Sequence, residues 1–577
     1  MNVEVLTGLD ADRLIENTEF REKWRDLYDA CPWSSVFQEE GFVITWYATY
    51  RSQFTPVIAV SANDEGEIVG LFTLAVAKDS GRFVVAGHNH AEYQAWLADP
   101  RYGDDFIESA IGELRKKFRD QPLTLLFALP TIPIEWTKPG NRWGDHCYVR
   151  TLKRGLMTVG DGSAFKDTLR KKKQNKVNRL KRMGQLRFDQ IQDAEGFEAL
   201  IDDILSHQAF RLRAVYNLPE VEQDPLKKSF LINLMRLPGA LHTTVLRLDD
   251  KLVSAQIHVR NKDQMLLHLI THSPLYARFS PGALHLLMLG VEFAKQGIPV
   301  FDLTPGGEYK DRHATHHDEV YVIKIFHSRA HCLRYKIERK LSEAIKPILR
   351  AFNVVPAQTR NAYSTFVDHR KKWSRLKAPG LLFEIGRRLK CSLLHTEELC
   401  LYAYDLDQAH SLSDSQIMKK NHIPDLLAYR PTESWQPPVN KFMKQSLKNL
   451  EAGHHVYTRV EGGRVVQYGW LIEPQCGKPS TRNGHDLALP ANSALLTDFY
   501  THSQGQSLFR SSLCQMLRDA SSVSGATQAY VCVPANNYAL RRTVEEVGFA
   551  YRYSSFKRNI LGKATIWLTT PLPLTDI

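Results

Sequence analysis

The stretch from Phe499 to Leu517, FYTHSQGQSLFRSSLCQML, begins like a strand, breaks at one glycine and resumes as an amphipathic helix. A helix that starts after such a break leaves backbone N–H groups without partners, and its dipole adds partial positive charge there. The pattern therefore predicts an anion seat able to grip a pyrophosphate. The predicted donors are Gln504, Gly505, Gln506, Ser507 and Leu508. The loop has no lysine, which argues against a nucleoside-triphosphate loop, and a purely structural turn stays the alternative.

The elements around this loop indicate a mixed α/β protein. The chain has 577 residues, enough for three or four domains at roughly 150 residues each. Two β runs flank the turn signal at 63–66, and three strands follow one another between 241 and 272. After residue 391 the order is strand, helices, hairpin, strand, the opening loop, helix, strand, helix and two strands. We expect mixed, mostly antiparallel sheets flanked by helices, in tandem domains.

Charge is concentrated in two places along the chain. Residues 329–390 hold sixteen Lys or Arg against four acidic residues, which equals the net charge of +12. A second basic block covers 166–187. Such blocks attract polyanions, so contact with an anionic membrane surface or with tRNA is an open expectation, as is a solvated helical face.

Several classes of protein are disfavoured by composition. No run reaches the roughly 20 apolar residues of a membrane span. The N-terminus, MNVEVLTGLDADRLIE, lacks the basic flank and apolar core of a signal peptide, and we expect a cytoplasmic protein. The eight cysteines show no C-x-x-C pair, so we expect reduced thiols. His313, His316 and His317 lack a clear fourth ligand, and we predict no metal site.

The C-terminal part, 391–577, resembles the acyl-CoA-binding core of the GNAT acyltransferase superfamily. Gln504 and Gly505 match the start of that family's loop, and Gly548-Phe549 matches the end of its last helix. The resemblance implies that the loop and Asn537 bind acyl-CoA, with Asn536 as the alternative match to the family's asparagine. Ser507 stands where the family usually has glycine, and Val544 stands where its tyrosine acid is frequent. This domain must therefore use another acid or water, or be inactive.

Residues 20–335 resemble a different branch, the CelD/BcsL-type acetyltransferases, which are related in fold to the Fem aminoacyltransferases. The resemblance is carried by the basic helix LRKKKQNKVNRLKRMGQLRF, the segment YARFSPGALHLLMLGVEFAKQG and the motif FDLTPGGEYKDR. In AGHNHAEYQAWLADP, Glu92 stands where an aspartate is expected. In that group two GNAT-like halves share a cleft. We therefore expect half-domains at 1–155 and 156–335, a basic helical connector at 336–390 and a GNAT domain at 391–577.

The resemblance also suggests which residues act. In the middle of the chain, Ser280 and Gly282 would lie nearest a pyrophosphate, because Ser280 caps a helix and Pro281 takes its first position. Asp302 ends a strand as base or orienter, and Lys310 would reach a phosphate or an oxyanion. In the C-terminal domain, Asp498 and Tyr500 are the catalytic candidates. Ordinary structural roles stay the alternative for each of them.

The leading functional hypothesis is an N- or O-acyltransferase that uses acyl-CoA, most simply acetyl-CoA. Its acceptor would be an amino sugar, hydroxyl or amine of a bacterial envelope or exopolysaccharide precursor. One alternative is a Fem-like transfer from aminoacyl-tRNA, which the basic block at 166–187 would suit. Another is a non-catalytic protein that senses acyl-CoA.

Overall fold

The computed structural model describes residues 1–118, 121–217, 224–351, 394–412, 417–432, 436–473, 480–482, 485–487, 489–490, 492–501, 506–523, 525–560 and 563–569. They form two compact units. Unit 1 is Met1–Gln208, Glu222–Ser273 and Phe279–Asn353, and unit 2 is Ala209–Val221, Pro274–Arg278 and Val354–Ile577.

The helices, in chain order, flank three large sheets. They are α1 Leu9–Glu16, α2 Thr18–Ala30, α3 Glu40–Tyr50, α4 Gly103–Lys117, α5 Ser163–Thr168, α6 Gln174–Lys181, α7 Ala194–Tyr216, α8 Lys227–Arg236, α9 Pro281–Lys295, α10 Glu308–Asp311, α11 Arg329–Ala351, α12 Ile423–Leu427, α13 Val439–Glu451, α14 Gln506–Ser521 and α15 Tyr538–Val547. A π-helical turn, Leu169–Lys173, joins α5 to α6. In the part of the chain described, no helix is long and apolar enough to cross a membrane.

The first sheet of unit 1 has five antiparallel strands. They are β1 Glu4–Thr7, β2 Phe54–Ala62, β3 Ile68–Ala77, β4 Phe83–Val85 and β5 Leu97–Ala98. The order is β1-β2-β3-β4, and β5 also pairs with β3. The predicted hairpin is confirmed: β2 and β3 turn at Asn63, whose side chain accepts the Glu67 N–H, with Gly66 at φ 78°. Positive φ is cheap for glycine and closes the turn.

The second sheet of unit 1 has eight strands. They are β6 Leu123–Ala128, β7 Cys147–Thr158, β8 Leu186–Ile191, β9 Leu241–Leu248, β10 Lys251–Asn261, β11 Gln264–His272, β12 Val300–Pro305 and β13 His316–Ile325. The order is β6-β13-β7-β12-β11-β10-β9-β8. β11 and β12 pair in parallel, and α9 connects them.

The half-domain boundary predicted at residue 155 falls inside β7. Both β6 and β7 pair with β13, so they belong to the second sheet, although β6 lies wholly and β7 mostly before residue 156. One apolar cluster also runs from Trp24 and Trp96 of the first half to Val245 and Ile323 of the second. The boundary between the two sheets therefore lies before β6. Local sequence patterns do not predict it, because it depends on pairing between strands that are distant in the chain.

Unit 2 contains an eight-stranded sheet and a small two-stranded one. Its strands are β14 Leu394–Asp405, β15 Lys419–Lys420, β16 His455–Glu461, β17 Arg464–Ile472, β18 Ser480–Arg482, β19 His485–Leu487, β20 Ser493–Thr501, β21 Gln528–Pro534, β22 Ala550–Ile560 and β23 Lys563–Leu568. The large sheet has the order β15-β16-β17-β20-β21-β14-β22-β23, with β20 and β21 parallel.

The predicted fold class is confirmed, because both units consist of mixed, mostly antiparallel sheets with helices. The connector predicted at 336–390 begins as the C-terminal part of α11, which belongs to unit 1. Residues 352–390 lie outside the described residues.

Candidate active site

The second sheet of unit 1 has a gap where its two parallel strands stop pairing. β11 and β12 are paired at three positions, the last of which joins Leu266 to Asp302. Beyond this point β11 continues along β10, and β12 pairs with β7. Where two parallel strands diverge, their ends leave backbone and side-chain groups available to a ligand, as at other switch points of α/β sheets.

A β-bulge places His268 beside this gap. Ile257 of β10 opposes Leu269, whereas His258 opposes Leu267, so His268 is an extra residue on β11. Such a bulge bends a strand and re-aims a side chain, and bulges are frequent next to active sites. His268 stands two residues beyond the last residue that pairs with β12.

The His268 imidazole is paired with the Glu92 carboxylate. Its Nδ1 lies 2.8 Å from Glu92 Oε1 and 2.9 Å from Oε2. Both side chains are largely buried. A carboxylate at Nδ1 favours the tautomer with the proton on Nδ1, which leaves the Nε2 lone pair for another partner. Nε2 makes no hydrogen bond to any residue that the structure describes.

Lys310 lies near the same carboxylate. Its Nζ donates to the Thr304 hydroxyl at 2.8 Å and to the Thr304 carbonyl at 3.2 Å. Burial lowers the pKa of Lys310 to about 8, although the charges of Asp302 and Glu92 act in the opposite direction. Thr304 has φ 59°, a rare conformation for a β-branched residue, which marks the end of β12 as a constrained turn.

Asp302 is buried behind the gap and has several partners. It accepts hydrogen bonds from Tyr93 Oη at 2.7 Å, from Arg154 Nη1 at 3.1 Å and from the Thr304 N–H at 2.7 Å. Complete burial raises the pKa of its carboxyl, and the guanidinium of Arg154 acts in the opposite direction. Of the two roles predicted for Asp302, this arrangement suits the orienter, because the side chain is 0% exposed and holds the Thr304 turn that Lys310 also contacts.

Arg154 extends this network to β13. Its Nε donates to Asp318 Oδ1 at 2.7 Å, and its Nη2 also contacts the Asp318 carboxylate. Two carboxylates thus compensate one buried guanidinium at the back wall of the gap.

A second polar group lies near Glu92. Lys227 Nζ donates to Gln208 at 2.8 Å, and burial lowers the pKa of Lys227 against the charges of Asp224 and Glu92. Asp224 in turn accepts hydrogen bonds from Tyr50 and His90. Glu92 therefore lies within electrostatic reach of two lysines while it pairs with His268.

The predicted anion seat at the start of α9 differs from the expectation in one respect. Ser280 is the N-cap in a left-handed conformation, but its side chain makes no capping bond. Its hydroxyl instead accepts from Lys176 Nζ at 2.6 Å. The N–H groups of Ala283 and Leu284 both donate to the Ser280 carbonyl, and Pro281 has none. The Gly282 N–H is therefore the donor left over in the first turn.

Lys176 comes from the basic block, which packs on α9. Phe165 of α5 lies against Gly290, where a Cβ would come within 2.8 Å of the ring. Further along, the guanidinium of Arg179 lies over the Phe279 ring, 5.6 Å from the ring centroid. Burial, and then the charge of Lys173, lowers the pKa of Lys176, which pairs with no carboxylate among the described residues.

In unit 2 the same geometry recurs. β20 and β21 pair in parallel as far as Leu496 and Val531. Two residues further along, Asp498 lies in a bulge of β20 opposite Gly469 and has φ 52°. Asp498 therefore occupies the position in its sheet that His268 occupies in the sheet of unit 1. Its charge acts on His454, whose pKa is lowered mainly by burial.

The other residues predicted in unit 2 have different surroundings. Tyr500 is buried, and its ring centroid lies 5.4 Å from that of Tyr468. Asn537 is exposed and caps its own helix, accepting from the Leu540 N–H at 3.1 Å. Of the predicted loop, Gln504 and Gly505 lie outside the described residues. Gln506, Ser507 and Leu508 form the first turn of α14.

The sequence patterns predict no role for several residues at the gap. They mark Glu92 only as a departure from a motif and do not indicate His268, Lys176, Arg154 or Tyr93. One signal was present: His268 is an ionisable residue within the apolar strand QMLLHLITH. Of the three histidines considered for a metal site, His317 pairs with Asp311 and His316 lies near Thr315.

One family model matches the part of the chain that contains this gap. Residues 168–312 match the family model described as an acetyltransferase (GNAT) domain. A search of curated proteins found no match. The matched segment contains β11, α9 and β12, which are the elements that form the gap.

Several solved structures are similar to part of the chain. FemX is 8% identical over 53% of this chain and 96% of its own, with a TM-score of 0.36. L-PGS from Bacillus licheniformis is 10% identical over 56% and 95%, with a TM-score of 0.34. A tandem GNAT protein from the clavulanic acid biosynthesis pathway is 11% identical over 57% and 99%, with a TM-score of 0.33. The family match therefore makes residues 168–312 of this chain similar to the acetyltransferase (GNAT) domain family.

Proposed function

We propose that the chain is an acyltransferase that moves an acyl group, acetyl in the simplest case, from CoA to an amine or hydroxyl. The proposed acceptor is an amino sugar or related group of a bacterial envelope or exopolysaccharide precursor. The observation that carries the proposal is the Glu92–His268 pair, held by a β-bulge at the gap between β11 and β12. A buried histidine with one nitrogen fixed by a carboxylate is a suitable general base.

The residues at the start of α9 fit the diphosphate of a CoA thioester. Lys176 supplies a cation that pairs with no carboxylate in the part of the chain that the structure describes, and Gly282 supplies a backbone N–H at the positive end of a 15-residue helix. A Cβ on Gly282 would meet only His272 and Ile270, at 3.7 and 3.9 Å, so its surroundings are not crowded. Acyl-CoA, when bound, supplies the activated thioester carbonyl.

The side chains at the gap have complementary roles in this proposal. His268 Nε2 takes the proton from the attacking amine or hydroxyl, and Glu92 stabilises the imidazolium that results. Lys310 donates two hydrogen bonds to Thr304 and keeps a third N–H for a developing oxyanion. With a pKa of about 8, Lys310 is largely protonated at pH 7. Asp302 and Arg154 position this turn without touching the substrate.

Unit 2 has a second candidate site in the same proposal. Asp498 stands at the corresponding bulge and is the candidate base there, with Tyr500 nearby on the same strand. The N-terminus of α14 is the corresponding seat.

The full-length chain tests this proposal with acetyl-CoA and a panel of amino sugars and sugar alcohols, by release of free CoA thiol. We expect His268→Ala to lower kcat by roughly 10²–10⁴-fold, with a smaller effect for Glu92→Gln and little change in the KM for acetyl-CoA. His410→Ala, at an exposed histidine of unit 2, is the control and should leave both constants unchanged.

Two results would contradict the assignment. An acceptor that is still acylated by an Asp498→Asn variant identifies the activity of unit 1. One contradicting result is that His268→Ala retains the wild-type kcat on such an acceptor. The other is activity that requires aminoacyl-tRNA in place of acetyl-CoA, which would favour Fem-like transfer.

A further inference from the structure

Helix α11 exposes a stripe of large aliphatic side chains. Leu333 is 60% exposed, Ile337 50% and Leu341 57%. They recur at every fourth residue, so they lie on one face of the helix. Single exposed aliphatic residues are ordinary, but an aligned row of three marks a surface for interaction.

The opposite side of α11 is firmly packed on unit 1. Cys332 is completely buried, and its Sγ lies 3.3 Å from the Cys147 carbonyl oxygen. The Tyr335 ring packs on Tyr148 and Phe326, with centroids 5.2 Å apart in each case. The helix is thus fixed in one rotation about its axis, and the aliphatic stripe faces outward because of that packing.

Basic residues surround the stripe. Arg334 and Lys340 are exposed, and Lys336 and Arg339 are partly exposed. Two acids of the helix are already paired: Glu338 with Arg334 at 2.8 Å, and Glu343 with Arg339 at 3.5 Å. The sequence from 329 to 390 carries sixteen basic and four acidic residues, so positive charge continues beyond the described part of the helix.

A groove of about 630 Å³ runs beside the stripe. Its apolar lining includes Ile134, Pro139 and Val149, and Lys336 and Lys340 stand at its edge. The groove adds apolar surface and cations to those of the helix on the same side of unit 1.

We propose that this face of α11 binds the surface of an anionic membrane. The aliphatic stripe enters the boundary between headgroups and acyl chains, and the flanking cations contact lipid phosphates. Charge complementarity identifies the occupant, and the stripe distinguishes it from a nucleic acid. A nucleic acid would use the cations but would gain nothing from three exposed aliphatic side chains. The attachment is peripheral, since no described helix is suited to span a bilayer.

Vesicle flotation of the full-length chain tests this inference independently of any acyl transfer. Vesicles of phosphatidylcholine alone are compared with vesicles containing three parts in ten phosphatidylglycerol. We expect binding to the anionic vesicles, weakened by 0.5 M NaCl. The double variant L333S/I337S should bind at least about tenfold more weakly.

Matched control variants test whether vesicle binding depends on this face of α11 or on exposed residues elsewhere. L9S/M183S removes two exposed aliphatic side chains elsewhere on unit 1 and should bind like the wild type. Lys340→Glu should weaken binding roughly tenfold, whereas Lys116→Glu on α4 should have a small effect. These residues are exposed, so circular dichroism should show native folding in every variant.

Three results would overturn the inference. In the first case, the wild type fails to bind anionic vesicles at 0.1 M NaCl. In a second case, L333S/I337S binds as tightly as L9S/M183S. In a third, tRNA displaces the vesicles and binds equally well to L333S/I337S, which would identify a nucleic-acid surface.

Discussion

A buried histidine on α9 makes the stability of unit 1 sensitive to acid. His285 is completely buried, with Nε2 2.9 Å from the Thr244 hydroxyl and Nδ1 3.1 Å from the Ser254 hydroxyl. Burial, and to a smaller extent the charge of His242, lowers its pKa to about 3. The two hydroxyls satisfy both ring nitrogens, whereas complete burial removes the water that would stabilise a charged ring.

The magnitude follows from proton linkage. The unfolded chain binds the proton with a pKa of about 6.5, and the folded chain binds it only near 3. The stabilising contribution is therefore complete above pH 6.5 and is lost as the pH falls below that value. At pH 5 the loss is about 1.5 pH units times 1.36 kcal/mol, or about 2 kcal/mol. The lowered pKa values of His242 and His258 act in the same direction.

Urea unfolding followed by hydrogen exchange of β9 and β10 peptides measures this loss within unit 1. Lowering the pH from 7 to 5 should reduce the free energy of unfolding of the wild type and of His285→Gln. We expect this reduction to be about 2 kcal/mol smaller in His285→Gln, because Gln keeps both hydrogen bonds and does not titrate. His410→Gln, at an exposed site, should show the wild-type difference. An identical pH dependence in His285→Gln and wild type would refute the reasoning.

Three further predictions concern the elements around the gap. Gly290→Ala, whose Cβ would meet the Phe165 ring at 2.8 Å, should destabilise unit 1 by about 1–3 kcal/mol and raise the KM for acetyl-CoA. Gly112→Ala on α4 has no close contact and should be neutral or stabilising in the same denaturation assay. Because Lys310 must be protonated to donate, kcat/KM should decline above about pH 8, and Lys310→Met should remove that decline along with most activity. A decline that persists in Lys310→Met would assign it to another group. Asp302→Asn leaves the buried Arg154 without one of its two carboxylates and should cost about 3–5 kcal/mol, whereas Asp250→Asn, fully exposed, should cost almost nothing by thermal unfolding.

Local patterns in the sequence predicted the elements well. The turn at 63–66, the three-strand meander β9–β11 and the succession β20, α14, β21 all follow from short-range signals of turn chemistry and periodicity. The start of α9 was also predicted, because Pro281 suits a first helical position. Such signals depend on neighbours in the chain, which a single sequence displays directly.

The site itself was predicted only in part, because its contacts join distant residues. Glu92 and His268 are 176 positions apart, and no periodicity indicates that they meet. The bulge that re-aims His268 is likewise defined by its partner strand. Ser280 was expected to cap α9, yet its hydroxyl contacts Lys176 because the basic block packs on that helix. Tertiary packing therefore decides the role of these side chains.

Calorimetric titration with acetyl-CoA tests the central claim most directly. The claim is that Lys176 and the first turn of α9 hold the diphosphate of the acyl donor. A Gly505→Glu background removes the C-terminal loop as a competing seat, and within it Lys176→Glu is compared with Lys172→Glu, an exposed residue of the same block. We predict a micromolar Kd without further substitution, at least about tenfold weaker binding in Lys176→Glu, and a small change in Lys172→Glu. Equal affinities in Lys176→Glu and Lys172→Glu, or no binding before either substitution is made, would contradict the account.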